Sequence, residues 1–307
     1  MAAPSKATAP PAERRSDAMA GIALMVAAMA LFATADLGIK LAAGLMAQPQ
    51  VIFVLGASGL VTFCALALIR GERLLTPLAL HPAVLGRNAA EIVGTSAMIF
   101  ALSAAPLTLV GAILQAAPLA VMAGGALFLG ERVGWRRWTA AAVGFAGVLV
   151  ILRPWENGVA PGALFAVTAM LALSARDLLN RQAPAEMPVS VLAAHGLFAI
   201  LLLGGVWSLA AEGRLLPPDP PWGLIALMAV AGTGGYFAIT AAVRAAPVSA
   251  VAPFRYSRLL FLGGLGILVL GEAVDAGLVL GASLIIGSGL YALARERRAL
   301  HSARRPA

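Results

Sequence analysis

AAPLTLVGAILQAAPLAVMAGGALFLGERV, residues 104–133, aligns without a gap on AAPVSAVAPFRYSRLLFLGGLGILVLGEAV, residues 245–274. Ala104-Ala105-Pro106 matches Ala245-Ala246-Pro247, Gly130-Glu131 matches Gly271-Glu272, and Val133 matches Val274, all at an offset of 141 residues. The same offset lays Gly21 on Gly162, Met29 on Met170, Asp36 on Asp177, Leu37 on Leu178 and Lys40 on Arg181. One register that holds over two separate regions points to an internal duplication.

The duplicated unit is apolar. The 307-residue chain is 61% hydrophobic and 12% charged, with a mean hydropathy of +0.91, against about 45–50% and about 25% in soluble domains. This is the composition of an integral membrane protein. Apolar runs fall near 19–42, 50–70, 83–103, 106–129, 135–152, 161–181, 188–211, 222–243, 247–270 and 276–294. Each approaches the roughly 20 residues a helix needs to cross the hydrocarbon core, and none alternates as a strand would. Only helices and closed barrels satisfy their backbone in lipid. The expected fold is therefore all-α and membrane-embedded, with ten transmembrane helices. Breaks as short as GEAVDAG (271–277) make neighbouring helices antiparallel hairpins. The expected organisation is a disordered cytoplasmic tail at 1–18, a first five-helix repeat at 19–152, a second at 160–294 and a basic cytoplasmic tail at 295–307. Five is odd, so the second repeat runs through the membrane in the opposite sense. Inverted repeats of this kind mark secondary transporters, whose substrate site lies near the midplane between the halves. Gly144 and Gly147, Gly263 and Gly264, and Gly277 and Gly281 are expected to let helices approach closely.

The arginines orient the chain. With the N-terminus inside, sixteen of the 22 lysines and arginines fall in inward-facing segments, and only Lys40, Arg153 and Arg214 in outward-facing ones. That is the positive-inside bias, and it puts both termini on the cytoplasmic side of a bacterial inner membrane. The net charge of +8 follows from it, so nucleic acid is not an expected partner. The expected partners are the lipid bilayer, a small-molecule substrate and, as a coupling ion, protons. The single cysteine, Cys64, excludes an internal disulfide and a CxxC metal site. No P-loop or HExxH sequence occurs, and neither a cofactor nor a metal is expected. No cleavable signal peptide is expected, so the first apolar run stays as helix one. Trp135, Trp138, Trp155, Trp207 and Trp222 read as interface anchors.

Ten helices in a five-plus-five duplication, two AAP[LV][TS] helix openings (104–108, 245–249) and two LGE exits (129–131, 270–272) resemble the drug/metabolite transporter superfamily, EamA type. The likeness covers roughly residues 19–294. It implies an inner-membrane carrier of small metabolites, often an amino-acid exporter, and within the superfamily the chain resembles the YddG-like amino-acid exporters.

Three cations fit neither face: Arg176, Arg255 and Arg258. A charge within a span costs at least about 2.5–3.5 kcal/mol. Counted from Pro247 at 1.5 Å per residue, Arg255 and Arg258 lie roughly 12 and 16 Å into a core of about 30 Å. Three residues apart, they share a helix face. Their counterparts in the first half are Leu114 and Ala117, so the repeated fold does not itself require arginine there. Arginine suits planar, bidentate contact with a carboxylate. The expected substrate-binding set is Arg255, Arg258, Tyr256, Gln115 (the counterpart of Tyr256), Glu91, Arg176, His195 and Tyr236. Glu91 is the expected partner of Arg255 or Arg258, or a proton site. The bland alternative has each arginine neutralised by Glu91, Asp36 or Asp177, pinning helices together. Asp36–Lys40 and Asp177–Arg181 are i,i+4 spacings found in both halves. They read as helix-end ion pairs or, more sharply, Asp36, Lys40 and Asp177 serve coupling or gating. His195 reads as a neutral interhelical hydrogen-bonder or a titrating group. Glu131 and Glu272 read as helix ends paired with nearby cations.

The expected function is alternating-access transport of small carboxylate-bearing metabolites, amino acids foremost, in the export direction, without enzymatic activity. The alternative within the class is a carrier of other small solutes such as nucleoside derivatives, drugs or quaternary amines. Outside it stand a channel and a rhomboid-like intramembrane serine protease, the latter from GASG (56–59) with Ser58 as nucleophile and His195 as base. Ten spans and an inverted duplication do not fit the protease, and short hairpins with an asymmetric cationic centre favour a carrier with an occluded site over a continuous pore.

Overall fold

The structure is a computed structural model that describes residues 11–131 and 133–303. The ten helices are α1 (Pro11–Ala42), α2 (Gln48–Ile69), α3 (Pro82–Ala104), α4 in two pieces (α4a, Leu107–Leu114; α4b, Ala117–Phe128), α5 (Trp135–Leu152), α6 (Pro161–Asn180), α7 (Val189–Glu212), α8 (Trp222–Ala245), α9 in two pieces (α9a, Val248–Val251; α9b, Ser257–Leu270) and α10 (Ala276–Ala303). Nine segments of the described residues are long and apolar enough to cross a membrane. The tenth, α3, has the length at 23 residues and carries Arg87 and Glu91.

The helix boundaries follow from local chemistry. Pro82 and Pro161 open α3 and α6, where a residue without an N–H leaves no donor orphaned. Gly213 and Gly271 close α7 and α9 at φ of +66° and +65°, a backbone conformation that suits glycine. Two boundaries differ from expectation. Residues 11–18, read as a disordered tail, continue α1; Pro11 and Glu13 are the residue types that a helix N-terminus favours. Likewise α10 runs on to Ala303. Residues 1–10, Arg132 and 304–307 lie outside the described residues, and with them Lys6, Arg132, Arg304 and Arg305 of the charge count.

The packing carries the duplication into three dimensions. Helix α1 lies along α8, and α3 lies along α6. Shifting either pair by five helices gives the other. The pairs α2–α7 and α5–α10 map onto themselves, as do the contacts of α1 with α9b and of α6 with α4b onto each other. This pattern is a pseudo-two-fold relation between inverted halves. Glycines set the closest crossings. A Cβ on Gly147 would lie 2.7 Å from the Gly281 carbonyl, and one on Gly281 would lie 2.6 Å from the Gly147 carbonyl. A Cβ on Gly56 would lie 2.5 Å from the backbone nitrogen of Leu201 on α7. Gly144 faces the side chain of Leu119, and Gly277 faces that of Arg153. Gly263 and Gly264 meet no neighbour within 4 Å, so the expected close approach does not occur there. Trp135 and Trp222 are exposed at the starts of α5 and α8, and Trp155 is exposed just beyond the end of α5.

Helices α4 and α9 are both interrupted near their middles. In α4 the turn at Gln115–Ala116 tightens, with the Ala116 amide donating to Ile113 at 3.0 Å. Pro118 lacks the N–H that would have reached Leu114. In α9 a 3₁₀ turn at Ala252–Tyr256 contains Pro253. The two breaks coincide in the repeat register, Gln115 on Tyr256, although their prolines do not. Freed backbone at this depth is tolerated where it lines a cavity.

Candidate functional site

The breaks face a cavity of about 700 Å³. Its wall draws on both halves: Met29 and Phe32 of α1, Met98 of α3, Gln115 and Met122 of α4, Arg176 and Asp177 of α6, Ile239 of α8, Arg255, Tyr256 and Arg258 of α9, and Gly289 of α10. Glu131, Arg137 and Arg181 line the same cavity. The side-chain amide of Gln115 donates to the Arg255 carbonyl at 3.5 Å, so the two interrupted helices touch at their breaks. Tyr256 is buried, and its hydroxyl rests where a Cβ on Gly289 would have to sit.

The three deep arginines are not equivalent. Arg258 donates to Asp36 Oδ2 from Nε at 3.1 Å and from Nη2 at 2.5 Å, and its guanidinium lies 5.6 Å from the Phe32 ring centroid. Arg176 donates to Glu91 at 3.0 Å and to Asp177 at 2.7 Å. Glu91 also holds Arg87 at 2.7 Å, and Arg87 Nε donates to Asn180 at 3.2 Å. Two cations and two anions thus balance between α3 and α6. Arg255 is exposed to the cavity and has no carboxylate partner among the described residues. A guanidinium without a partner in a recess can form charge-assisted, forked hydrogen bonds with an incoming anion.

Several expected roles change. Glu91 partners Arg87 and Arg176, not Arg255 or Arg258, because α3 packs against α6. The i,i+4 pairs do not form. Asp36 turns to Arg258, and Lys40 donates to the carbonyls of Leu102 at 3.0 Å and Ala105 at 2.6 Å, with Glu272 at 3.9 Å. Asp177 takes Arg176, while Arg181 takes Glu131 at 2.8 Å. His195 lies away from the cavity, where its Nε2 is 2.9 Å from the Leu74 carbonyl beside residues 75–79. Tyr236 stacks edge-on against Phe63 at 4.5 Å and is not part of the cavity wall. Ser58 donates to the Leu55 carbonyl at 3.2 Å, so no Ser58–His195 dyad is assembled. No group of three or more metal-ligating side chains occurs among the described residues.

The LGE exits acquire a structural meaning. At Gly130 and Gly271 the chain turns through φ of +68° and +65°. The next amide returns to the carbonyl of Gly125 at 3.1 Å or of Gly266 at 2.9 Å. Each glutamate then folds over that glycine, where a Cβ would lie 2.6 Å from its carboxylate. Glu272 goes on to accept the amides of Leu107 at 2.5 Å and Thr108 at 2.9 Å and the Thr108 hydroxyl at 2.8 Å. These are orphan donors at the start of α4a, where negative charge is favoured. The sequence marks this glutamate by repetition, but nothing in it names a landing site 164 residues away.

Comparison with known proteins agrees with this architecture. Residues 19–153 and 160–293 each match the EamA-like transporter family. The chain is 31% identical over 205 residues to a riboflavin transporter of Rhizobium johnstonii, covering 67% of this chain and 68% of that protein. It is 26% identical over 210 residues to an S-adenosylmethionine uptake transporter of Rickettsia bellii, covering 67% and 70%. It is 26% identical over 286 residues to the pseudopaline exporter CntI of Pseudomonas aeruginosa, covering 91% and 97%. A solved crystal structure superposes with a TM-score of 0.58 at 20% identity, covering 93% of this chain and 99% of that one, and supports the fold. Two inverted five-helix repeats around a central cavity, each matched in turn by the same family model, make the chain a member of the EamA-like transporter family.

Proposed function

We propose that the protein is an alternating-access secondary carrier that moves a carboxylate-bearing metabolite, an amino acid or a derivative of one, across the bacterial inner membrane with both termini cytoplasmic. The carrying observation is Arg255, a guanidinium at the break of α9 that faces the cavity without a carboxylate partner among the described residues. Arg258, placed beside it by the sequence, is instead committed to Asp36 and serves to pin α9b to α1. Gln115 and Tyr256 contribute neutral polar groups on the same wall, and Met29, Phe32, Met98 and Met122 give the remainder an apolar character. Methionines adapt to ligands of varied shape. The direction is export, and protons are the coupling ion, with Asp177 on the cavity wall and Asp36 and Glu91, which pair with cavity-lining arginines, as the acidic groups that would carry them.

A second reading is favoured by the size of the site. A cavity of about 700 Å³ lies in the range that takes drug-sized ligands, and the relatives are named for riboflavin, S-adenosylmethionine and pseudopaline. A nucleoside-like or similarly extended solute would use the apolar wall as well as Arg255.

The test is uptake into proteoliposomes with labelled amino acids, S-adenosylmethionine and riboflavin, with and without a pH gradient. Uptake of carboxylate-bearing compounds, weakened at least about tenfold in apparent affinity by Arg255→Leu, is expected. Uptake confined to riboflavin, with Arg255→Leu as active as wild type, would overturn the carboxylate reading and leave the extended-solute reading in place.

A further inference from the structure

We propose that Asp177 binds the cationic group of the substrate, an ammonium in an amino acid, at the position that Arg258 fills in the other half of the molecule. The inference rests on the carboxylate reading and deepens it: the carrier holds a zwitterion, with the carboxylate at Arg255 and the ammonium at Asp177.

The repeat supplies the argument. Asp36 and Asp177 are equivalent under the 141-residue offset, and the contact of α1 with α9b is equivalent to that of α6 with α4b. In the first contact Asp36 receives the guanidinium of Arg258, which lies over the Phe32 ring. In the second, the residues at the positions of Arg258 and Phe32 are Ala117 and Leu173. Ala117 does meet α6, since its carbonyl accepts the hydroxyl of Ser174, one turn before Asp177, at 3.3 Å. No residue from Ala117 to Phe128 is charged, so α4b has no cation to give to Asp177. Ala117, Leu173 and Asp177 stand together on the wall of the central cavity.

Asp177 is in the state that such a site needs. Its side chain is 42% exposed, against 5% for Asp36. Both bonds from Arg176 go to Oδ1, at 3.0 and 2.7 Å, and Oδ2 has no hydrogen-bond partner among the described residues. Arg176 is also shared with Glu91, so it does not saturate the aspartate. A carboxylate oxygen on a cavity wall accepts a charge-assisted hydrogen bond from an ammonium.

The same carboxylate gives proton coupling a sign. A proton on Asp177 removes the charge that holds the ammonium, so proton and substrate exclude each other there. The charged groups around it are Arg176 and Arg181 on α6, Arg87 and Glu91 on α3, Glu131 beyond α4b, and Arg137, Arg255 and Arg258 on the cavity wall. Glu91 lies between two arginines, and Glu131 is held by Arg181. Mutual exclusion makes the carrier an exchanger, in which substrate leaves as a proton enters.

The test measures binding of neutral amino acids, their N-acetyl derivatives and their methyl esters to the purified protein. Wild type should hold the free amino acid at least about tenfold more tightly than the N-acetyl form, the ratio for one charge-assisted hydrogen bond. Asp177→Asn should bring the amino acid down to the level of its N-acetyl form and leave the latter unchanged. A merely structural role would weaken all three forms together. Ala117→Arg, which supplies the second half with the missing guanidinium, should act as Asp177→Asn does and keeps the test open if that variant does not fold. Lowering the pH should weaken the amino acid and spare the N-acetyl form in wild type, and do neither in Asp177→Asn. Amino acid and N-acetyl form bound alike by wild type, or told apart as before by Asp177→Asn, would overturn the ammonium site alone. Amino acid and methyl ester bound alike would overturn the carboxylate site alone. Binding of no form would overturn both.

Discussion

Asp36 on α1 accepts two hydrogen bonds from Arg258 on α9b, 222 residues further along the chain. The carboxylate is buried, with 5% of its side chain exposed, and the guanidinium is at 25%. The pair therefore fastens the second half's broken helix to the first half's opening helix, and it removes Arg258 from the set of groups free to meet a ligand.

Breaking that pair from one side leaves an uncompensated buried charge. Arg258→Leu should lower stability by about 3–5 kcal/mol, read as an earlier thermal transition in detergent. The double variant Asp36→Leu/Arg258→Leu should recover most of the loss. A single variant that melts with the wild type would show that the pair contributes nothing to the fold.

Arg255 behaves oppositely in this scheme. Arg255→Leu should melt within a degree or two of wild type, because no ion pair is lost. It should weaken substrate binding by about 1.5–3 kcal/mol, the range for hydrogen bonds to charged groups, or roughly 10- to 100-fold in apparent affinity. Equal losses of stability in Arg255→Leu and Arg258→Leu would contradict the division of labour between them.

Glu91 is the hub of the second buried network. Replacing it with leucine leaves Arg87 and Arg176 facing each other without their shared anion. A loss of about 3–5 kcal/mol is expected, larger than for Asp177→Leu, since Asp177 is 42% exposed and bonds Arg176 alone among the described residues. Comparing the two melting transitions decides the order.

The glycines divide by what surrounds them. Gly281→Val should force α5 and α10 apart and destabilise the protein by about 1–3 kcal/mol through overpacking. Gly263→Ala, with open space around it, should be stabilising by roughly 0.5–1 kcal/mol, because alanine loses less freedom than glycine in a helix. Parallel thermal melts of the two variants check the contrast.

Fold and site were legible in the sequence to different depths. Ten apolar runs and one constant offset identify the helices and their duplication, because hydropathy and repetition are properties of single positions. The breaks in α4 and α9 escaped that reading, although Pro118 and Pro253 stood within the runs as signals. The cavity residues Arg255, Tyr256 and Gln115 were found from their depth. Of the ion-pair partners, Asp36 for Arg258 was named only in the bland alternative, and that alternative holds for this arginine. Spacing along one helix suggested Asp36 with Lys40 and Asp177 with Arg181, whereas packing between helices gave Asp36 to Arg258, Lys40 to Glu272 and Arg181 to Glu131, and Asp177 took its chain neighbour Arg176. His195 and Tyr236 were drawn in by residue type alone, and the faces of α7 and α8 on which they sit point elsewhere.

The single offset that relates the halves has a thermodynamic consequence. In the alternating-access cycle proposed above, identical repeats could exchange conformations without changing the energy of the molecule, and the inward- and outward-facing forms would be degenerate. The resting preference of the carrier therefore resides only where the halves disagree, as at Arg258 against Ala117, Glu91 against Gly232 and Thr108 against Ser249. Every 1.4 kcal/mol of net difference over such positions is about tenfold in population. Mismatched positions are the dial that sets which face waits open, and matched ones leave that balance untouched when both copies change together.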